Sequence, residues 1–150
     1  MSRKLSRLAL LAIAAIALTG CAQPKKFSDI TINFASEPVI NEDVLLPVDI
    51  VVVDRSLAEA VLEVGPEDWF GQSMRDRLVG DEIQHIAIRG NAEREVKITI
   101  PDGVTKVIIY ADYENNADRL GQQIVISPEK ENFAPSYRVT IKENRMELAP

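Results

Sequence analysis

Two side chains that commonly carry out chemistry occur once each in this chain of 150 residues, Cys21 and His85. A cysteine thiolate is a nucleophile, a histidine is a general base, and zinc sites are built largely from these two residue types. One of each is too few for a typical zinc site, and no nucleophile-elbow motif offers a serine for His85 to activate. On its predicted strand, His85 alternates with Ile86 and Ile88, as a solvated histidine would. We therefore predict that the protein is not an enzyme.

Cys21 has a more specific setting, because it ends a segment that looks like a bacterial lipoprotein signal. A basic start is followed by an unbroken apolar run over residues 8–18, which is too short to span a bilayer. Leu18-Thr19-Gly20-Cys21 then resembles the box at which lipoproteins are cleaved. The resemblance implies a diacylglyceryl group on the Cys21 thiol and an acylated amino group, with no other cofactor. The alternative is an ordinary helix followed by a stray or buried thiol.

This interpretation divides the chain into a cleaved signal peptide (1–20), a lipidated tether (21–27) and a single domain (28–150). The mature chain keeps 14 basic and 23 acidic residues, a net charge of −9, which disfavours nucleic acid and anionic lipid as partners. Multiple acyl chains give a firm membrane anchor. Ala22 follows the cysteine, where an Asp would favour inner-membrane retention in enterobacteria, so we expect an outer-membrane protein that faces the periplasm.

An acidic segment near the C-terminal half resembles the start of a calcium-binding loop. Oxygen-bearing side chains occur at alternating positions, at Asp112, Glu114, Asn116 and Asp118. The rest of the pattern does not fit, because Ala117 occupies the position of the glycine and Gln123 that of the bidentate glutamate. We therefore predict a solvated hairpin loop and no metal site.

The apolar pattern has the period of β-strands through most of the mature chain. Ile30, Ile32 and Phe34 alternate with polar residues, and residues 44–53 are strongly β-prone, with Pro47 near the start or on an edge. Six further strands are predicted at residues 83–89, 95–100, 106–113, 123–127, 137–142 and 145–148. The sequence thus predicts an all-β fold in the main, a two-sheet antiparallel β-sandwich of about eight strands with a two-helix insertion after strand 2.

The predicted insertion has helical periodicity and clear boundaries. Ser56 and Glu59 form a capping box for a first helix that ends at Gly65. Pro66 then begins a second helix, which ends at Gly80. Trp69 is the only tryptophan, and we favour packing of the insertion on the sheet over a ligand platform as its role.

The predicted loop between strands 1 and 2 contains two apolar residues in an acidic setting. Val39 and Ile40 lie between Glu37-Pro38 and Asn41-Glu42-Asp43. They either fold back on the core or form an exposed knob that contacts another protein.

The order of these features resembles the outer-membrane lipoproteins of type VI secretion systems, the TssJ family. The most specific match is Asn41-Glu42-Asp43-Val44-Leu45-Leu46-Pro47-Val48-Asp49-Ile50-Val51-Val52, which is similar to the Asn-Pro-Asp loop and Val-rich strand of that family. Glu42 differs from the family's proline, so the chain resembles a divergent member.

The resemblance implies a mechanical function without catalysis. The sandwich would be held at the outer membrane and would capture the periplasmic C-terminal region of a TssM (IcmF-like) inner-membrane protein. Part of that contact would be made by the loop between strands 1 and 2, which comprises Glu37, Pro38, Val39, Ile40, Asn41, Glu42 and Asp43. Two other functions stay open: a different adaptor or pilotin lipoprotein, and a periplasmic ligand-binding or hydrolytic module.

Overall fold

The computed structural model describes residues 27–71, 73–115 and 119–149. The signal peptide, Cys21, Ala22, Asn116, Ala117 and Asp118 lie outside these residues, so the predictions made for them stay predictions. The described chain contains eight strands: β1 Asp29–Ser36, β2 Leu46–Asp54, β3 Ile83–Ile88, β4 Glu93–Thr99, β5 Val104–Ala111, β6 Gln123–Ile126, β7 Ser136–Ile141 and β8 Met146–Ala149.

The strands form two four-stranded sheets, which confirms the predicted sandwich. One sheet has the order β4-β1-β7-β8 and the other β3-β2-β5-β6. One pairing differs from the prediction of antiparallel sheets, because β1 and β7 run parallel. These two strands are far apart in sequence, and such a pairing leaves no local turn signal.

The alternation of apolar residues determines which side of each strand is buried. Ile30, Ile32 and Phe34 point between the sheets, where they meet Val48 and Ile50 of β2. The opposite face of β2 is also apolar, and Val51 and Val53 pack there in a second cluster with residues of the helical insertion. β2 is therefore buried on both faces. Pro47 lies near the start of β2, as predicted.

The insertion consists of α1 (Arg55–Trp69) and the short α2 (Ser73–Arg77). Gly65 interrupts α1 with φ of +72°, so the predicted break before Pro66 is present. The predicted N-cap was wrong: Asp54 caps the helix, and its Oδ1 accepts hydrogen bonds from the backbone N–H groups of Ser56 (2.9 Å) and Leu57 (3.1 Å). Asp54 has this position because β2 continues to it in extended conformation and the helix begins at the next residue.

The sandwich has two distinct ends. At the first, which we call the Phe27 end, the Phe27 ring contacts Phe133 at 5.7 Å between centroids. At the other, the loop end, β1 leads into residues 37–45, which lie against the β3–β4 and β7–β8 turns. β1 has 8 residues, so at ~3.3 Å of rise per residue the two ends are roughly 26 Å apart.

No helix in the described part of the chain is long and apolar enough to cross a bilayer.

Candidate functional site

The β1–β2 loop, residues 37–45, contains an unusual backbone turn. Asn41, Glu42 and Asp43 have φ of +48°, +54° and +65°, so three consecutive residues other than glycine are left-handed. This conformation costs about 1–2 kcal/mol per residue for an L-amino acid, and less for Asn and Asp. The surrounding contacts must offset this cost.

Asn41 supplies several of these contacts and is itself buried, with 2% of its surface exposed. Its backbone N–H donates to the Glu143 carbonyl (2.9 Å), and its side-chain Oδ1 accepts a hydrogen bond from the Glu114 N–H (2.7 Å). The Asn41 carbonyl accepts from the Val44 N–H at 2.9 Å. Asn41 therefore joins this loop to the β5–β6 and β7–β8 connections.

The beginning of the loop is held by the β3–β4 turn. The Glu37 N–H donates to the Ile141 carbonyl, and the Glu37 carbonyl accepts from the Asn91 N–H at 3.0 Å. A Cβ atom on Gly90 would come within 2.1 Å of the Pro38 carbonyl oxygen, so only glycine fits at that position. These contacts give the loop a defined conformation before any partner arrives.

The structure separates the two apolar residues that the sequence analysis treated as a pair. Ile40 is 1% exposed and packs in the core between the sheets, whereas Val39 is 54% exposed. The loop exposes two further apolar side chains, Val44 and Leu45. Sequence analysis missed these two because it assigned them to strand 2, although three consecutive apolar residues, Val44 to Leu46, already break the alternation of a half-buried strand.

Carboxylates occur on the same loop and on the connections that it contacts. Glu37, Glu42 and Asp43 of the loop are exposed, as are Glu114 and Glu143 on the two connections that Asn41 contacts. Beneath them Tyr113 is buried, and its hydroxyl has no hydrogen-bond partner within the described residues. Burial and, to a lesser extent, the nearby Glu37 raise the pKa of this phenol. We call Val39, Val44 and Leu45 the apolar knob, and Glu37, Glu42, Asp43, Glu114 and Glu143 the acidic rim.

A second polar cluster lies under the helical insertion and contains His85. Asp49 is 1% exposed and accepts hydrogen bonds from Trp69 Nε1 (2.9 Å) and Arg75 Nε (2.6 Å). His85 Nδ1 lies 2.7 Å from Asp49 Oδ1, although the histidine side chain is about half exposed. Sequence analysis placed His85 on the correct face but did not predict its carboxylate partner.

The cluster has the features of a structural clamp. Burial alone would raise the pKa of Asp49, but hydrogen bonds from Arg75, His85 and Trp69 outweigh burial, and the pKa is lowered. Trp69 also stacks on Tyr110 with ring centroids 4.5 Å apart, which supports packing over a ligand platform. Among the described residues, no hydroxyl group hydrogen-bonds to His85.

In residues 27–71, 73–115 and 119–149, no three His, Cys, Asp or Glu side chains come together in a group that could hold a metal ion. Asp112 and Glu114 are the two described members of the calcium-like segment, and burial, followed by the charge of Glu114, raises the pKa of Asp112.

Comparison with solved structures places this fold beside proteins of type VI secretion. The Serratia marcescens protein Lip, a membrane-bound component of that system, matches 82% of this chain and 96% of its own, at 12% identity and a TM-score of 0.63. The lipoprotein TssJ1 from Pseudomonas aeruginosa matches 82% of this chain and 97% of its own, at 14% identity and a TM-score of 0.58.

A third match comes from the structure of the type VI protein TssM C-terminal domain from EAEC, at 12% identity and a TM-score of 0.61. It covers 83% of this chain and 99% of the matched chain. No protein-family model matches the sequence, and no curated protein matches it significantly. The similarity is therefore one of fold, and it confirms the architecture that the sequence resemblance implied: the chain has the β-sandwich fold of the TssJ-type lipoproteins of type VI secretion.

Proposed function

We propose that this protein is a lipid-anchored component of a type VI secretion membrane complex. In this role it holds the periplasmic C-terminal region of a TssM (IcmF-like) inner-membrane protein at the outer membrane. The observation that carries the proposal is the apolar knob, because Val39, Val44 and Leu45 are all exposed on one loop whose backbone is held by hydrogen bonds. Because the loop is already ordered, partner binding does not carry the entropy cost of ordering it.

Phe27, the first described residue after the predicted tether, lies at the opposite end of β1 from the knob. Cys21 precedes Phe27 by six residues, a reach of at most about 20 Å, so an acylated Cys21 keeps the Phe27 end close to its membrane. The loop end then faces away from that membrane. This arrangement suits a protein that sits on the outer membrane and contacts a partner from the periplasm.

The proposal assigns no catalytic activity to the chain. The contacts of His85 are with Asp49 and Arg75, which attach the helical insertion to the sheet. A hydrolytic function would need a nucleophile beside this histidine. The groups beside it are instead the carboxylate of Asp49 and the guanidinium of Arg75.

The test is capture of the periplasmic C-terminal domain of the TssM-like protein from the same organism by the full-length protein in neutral detergent. Val39→Asp should weaken binding at least tenfold, because it places a charge at the centre of the apolar contact. Val79→Asp is the matched control, since Val79 is 68% exposed but lies beside the turn that leads into β3 at the Phe27 end. Both variants should keep the circular dichroism and melting temperature of the wild type.

A third arm of the experiment tests the anchor. Cys21→Ser should bind the partner as well as the wild type does in detergent but should leave the membrane fraction and abolish secretion in cells. Wild-type binding by Val39→Asp, or capture of a secretin in place of the TssM-like domain, would contradict the proposal. The second result would favour a pilotin.

A further inference from the structure

We infer the chemistry of the partner surface: an apolar recess bordered by lysine and arginine, toward which the acidic rim steers this protein. The inference rests on the proposed function, and it goes further by naming what the partner must present. It depends on two properties of the loop end, the arrangement of charge around the knob and the rigidity of the loop.

Negative charge exceeds positive charge at the loop end. None of the five rim carboxylates forms an ion pair within the described residues. Among the described side chains, three cations lie on the adjoining turns: Arg89, Lys142 and Arg145. Lys142 and Arg145 pair with the same carboxylate, Glu147, at 2.8 Å each, so these three groups together keep one positive charge. With Arg89, two positive charges oppose the five carboxylates of the rim. The loop end consequently has a negative field that its own residues do not cancel.

A partner that covers the knob must also accommodate the charged rim. The knob is apolar and its neighbours are charged. A purely apolar partner surface would therefore remove water from the rim carboxylates without offering them a cation. An acidic partner surface would be repelled. A partner surface with cations around an apolar recess can both bury the knob and pair with the rim carboxylates. Lys and Arg would pair with the rim at the edge of the contact, and the recess would hold Val39.

The rim and the knob should affect different rates of binding. Exposed charges act over about 8–10 Å at physiological ionic strength and chiefly raise the association rate. Buried apolar contacts chiefly set the dissociation rate. Because the loop is held in place by Asn41 and the two turns, no slow loop rearrangement should hide the contribution of the rim to the association rate.

The experiment measures association and dissociation rates of the full-length protein in neutral detergent against the TssM-like periplasmic domain. Rates are compared at about 50 mM and about 500 mM NaCl. The test variant is E37Q/E42Q/D43N, which removes three charges and retains side chains that the left-handed turn accepts. The matched control is D81N/D102N/E131Q, three exposed carboxylates away from the loop end.

We expect roughly a tenfold lower association rate for the test variant at low salt, little change in its dissociation rate, and a weaker salt dependence. The control variant should retain wild-type rates. Equal effects of both variants, or wild-type association that does not depend on salt, would overturn the inference while leaving the proposed function intact. A wild-type protein that does not bind the domain at all would overturn the proposed function and this inference with it.

Discussion

The two polar clusters of this sandwich use carboxylates in opposite ways. Under the helical insertion, Asp49 is buried and surrounded by donors from Trp69, Arg75 and His85. At the loop end the carboxylates are exposed and form no ion pair with any residue that the structure describes, and the loop is held by the uncharged Asn41 and by backbone hydrogen bonds. The comparison indicates that charge stabilises the structure in the first region and remains available to a partner in the second.

The largest effect should follow the loss of the buried charge. Asp49→Ala leaves Arg75 and His85 without their shared partner and opens a cavity beneath Trp69. Removal of one member of a buried ion pair costs 3–5 kcal/mol, and we expect about 3 kcal/mol because Arg75 and His85 keep some access to water. Urea denaturation followed by Trp69 fluorescence measures the free energy of unfolding.

Asp29→Ala is the control for this change, because the Asp29–Lys97 pair is exposed and contributes about 0–1 kcal/mol. If the Asp49 and Asp29 variants were equally stable, the cluster under the insertion would not be a clamp. The comparison between the two regions would then have no basis.

The next effect, of about 2 kcal/mol, should follow substitution at the loop end. Asn41→Ala removes the acceptor of the Glu114 N–H and places alanine in the left-handed region, so a hydrogen bond and a tolerant side chain are lost together. Partner binding should weaken as well, because the knob loses its fixed geometry. Thermal denaturation and the binding assay measure the two changes.

Asn91→Ala separates the cost of the left-handed backbone from the cost of the lost hydrogen bond. Asn91 has φ of +57° but is exposed, so the substitution carries the backbone cost without the loss of a buried contact. It should destabilise the protein by about 1 kcal/mol. A loss of stability as large as that of Asn41→Ala would mean that backbone conformation alone accounts for the Asn41 effect.

The sequence was sufficient for the parts of the fold that depend on local pattern. Alternation at Ile30, Ile32 and Phe34 identified the buried face of β1. Gly65 and Pro66 also marked the break in the insertion. In each case the information lies within a few residues of the feature.

The candidate site depended on contacts that no local pattern contains. The Asp49 partners Trp69, Arg75 and His85 are 20, 26 and 36 residues away in sequence. Burial of Ile40 beside exposed Val39 follows from the left-handed turn at residues 41–43, which sequence analysis could not foresee because asparagine and aspartate tolerate that conformation without requiring it. Local pattern located the loop, and long-range contacts decided which of its side chains are exposed.

The smallest and most gradual effect should be the response of the buried Asp49 cluster to acid. Because the pKa of Asp49 is lower in the folded state than its ordinary value of 3.8, the unfolded state takes up a proton first as the pH falls. The stability contributed by Asp49 is therefore complete above about pH 4 and is lost as the pH falls through the folded pKa. The free energy of unfolding of the wild type should fall more steeply below about pH 4 than that of Asp49→Asn, measured by urea denaturation. Equal slopes for the wild type and Asp49→Asn would mean that Asp49 does not stabilise the fold as a hydrogen-bonded carboxylate.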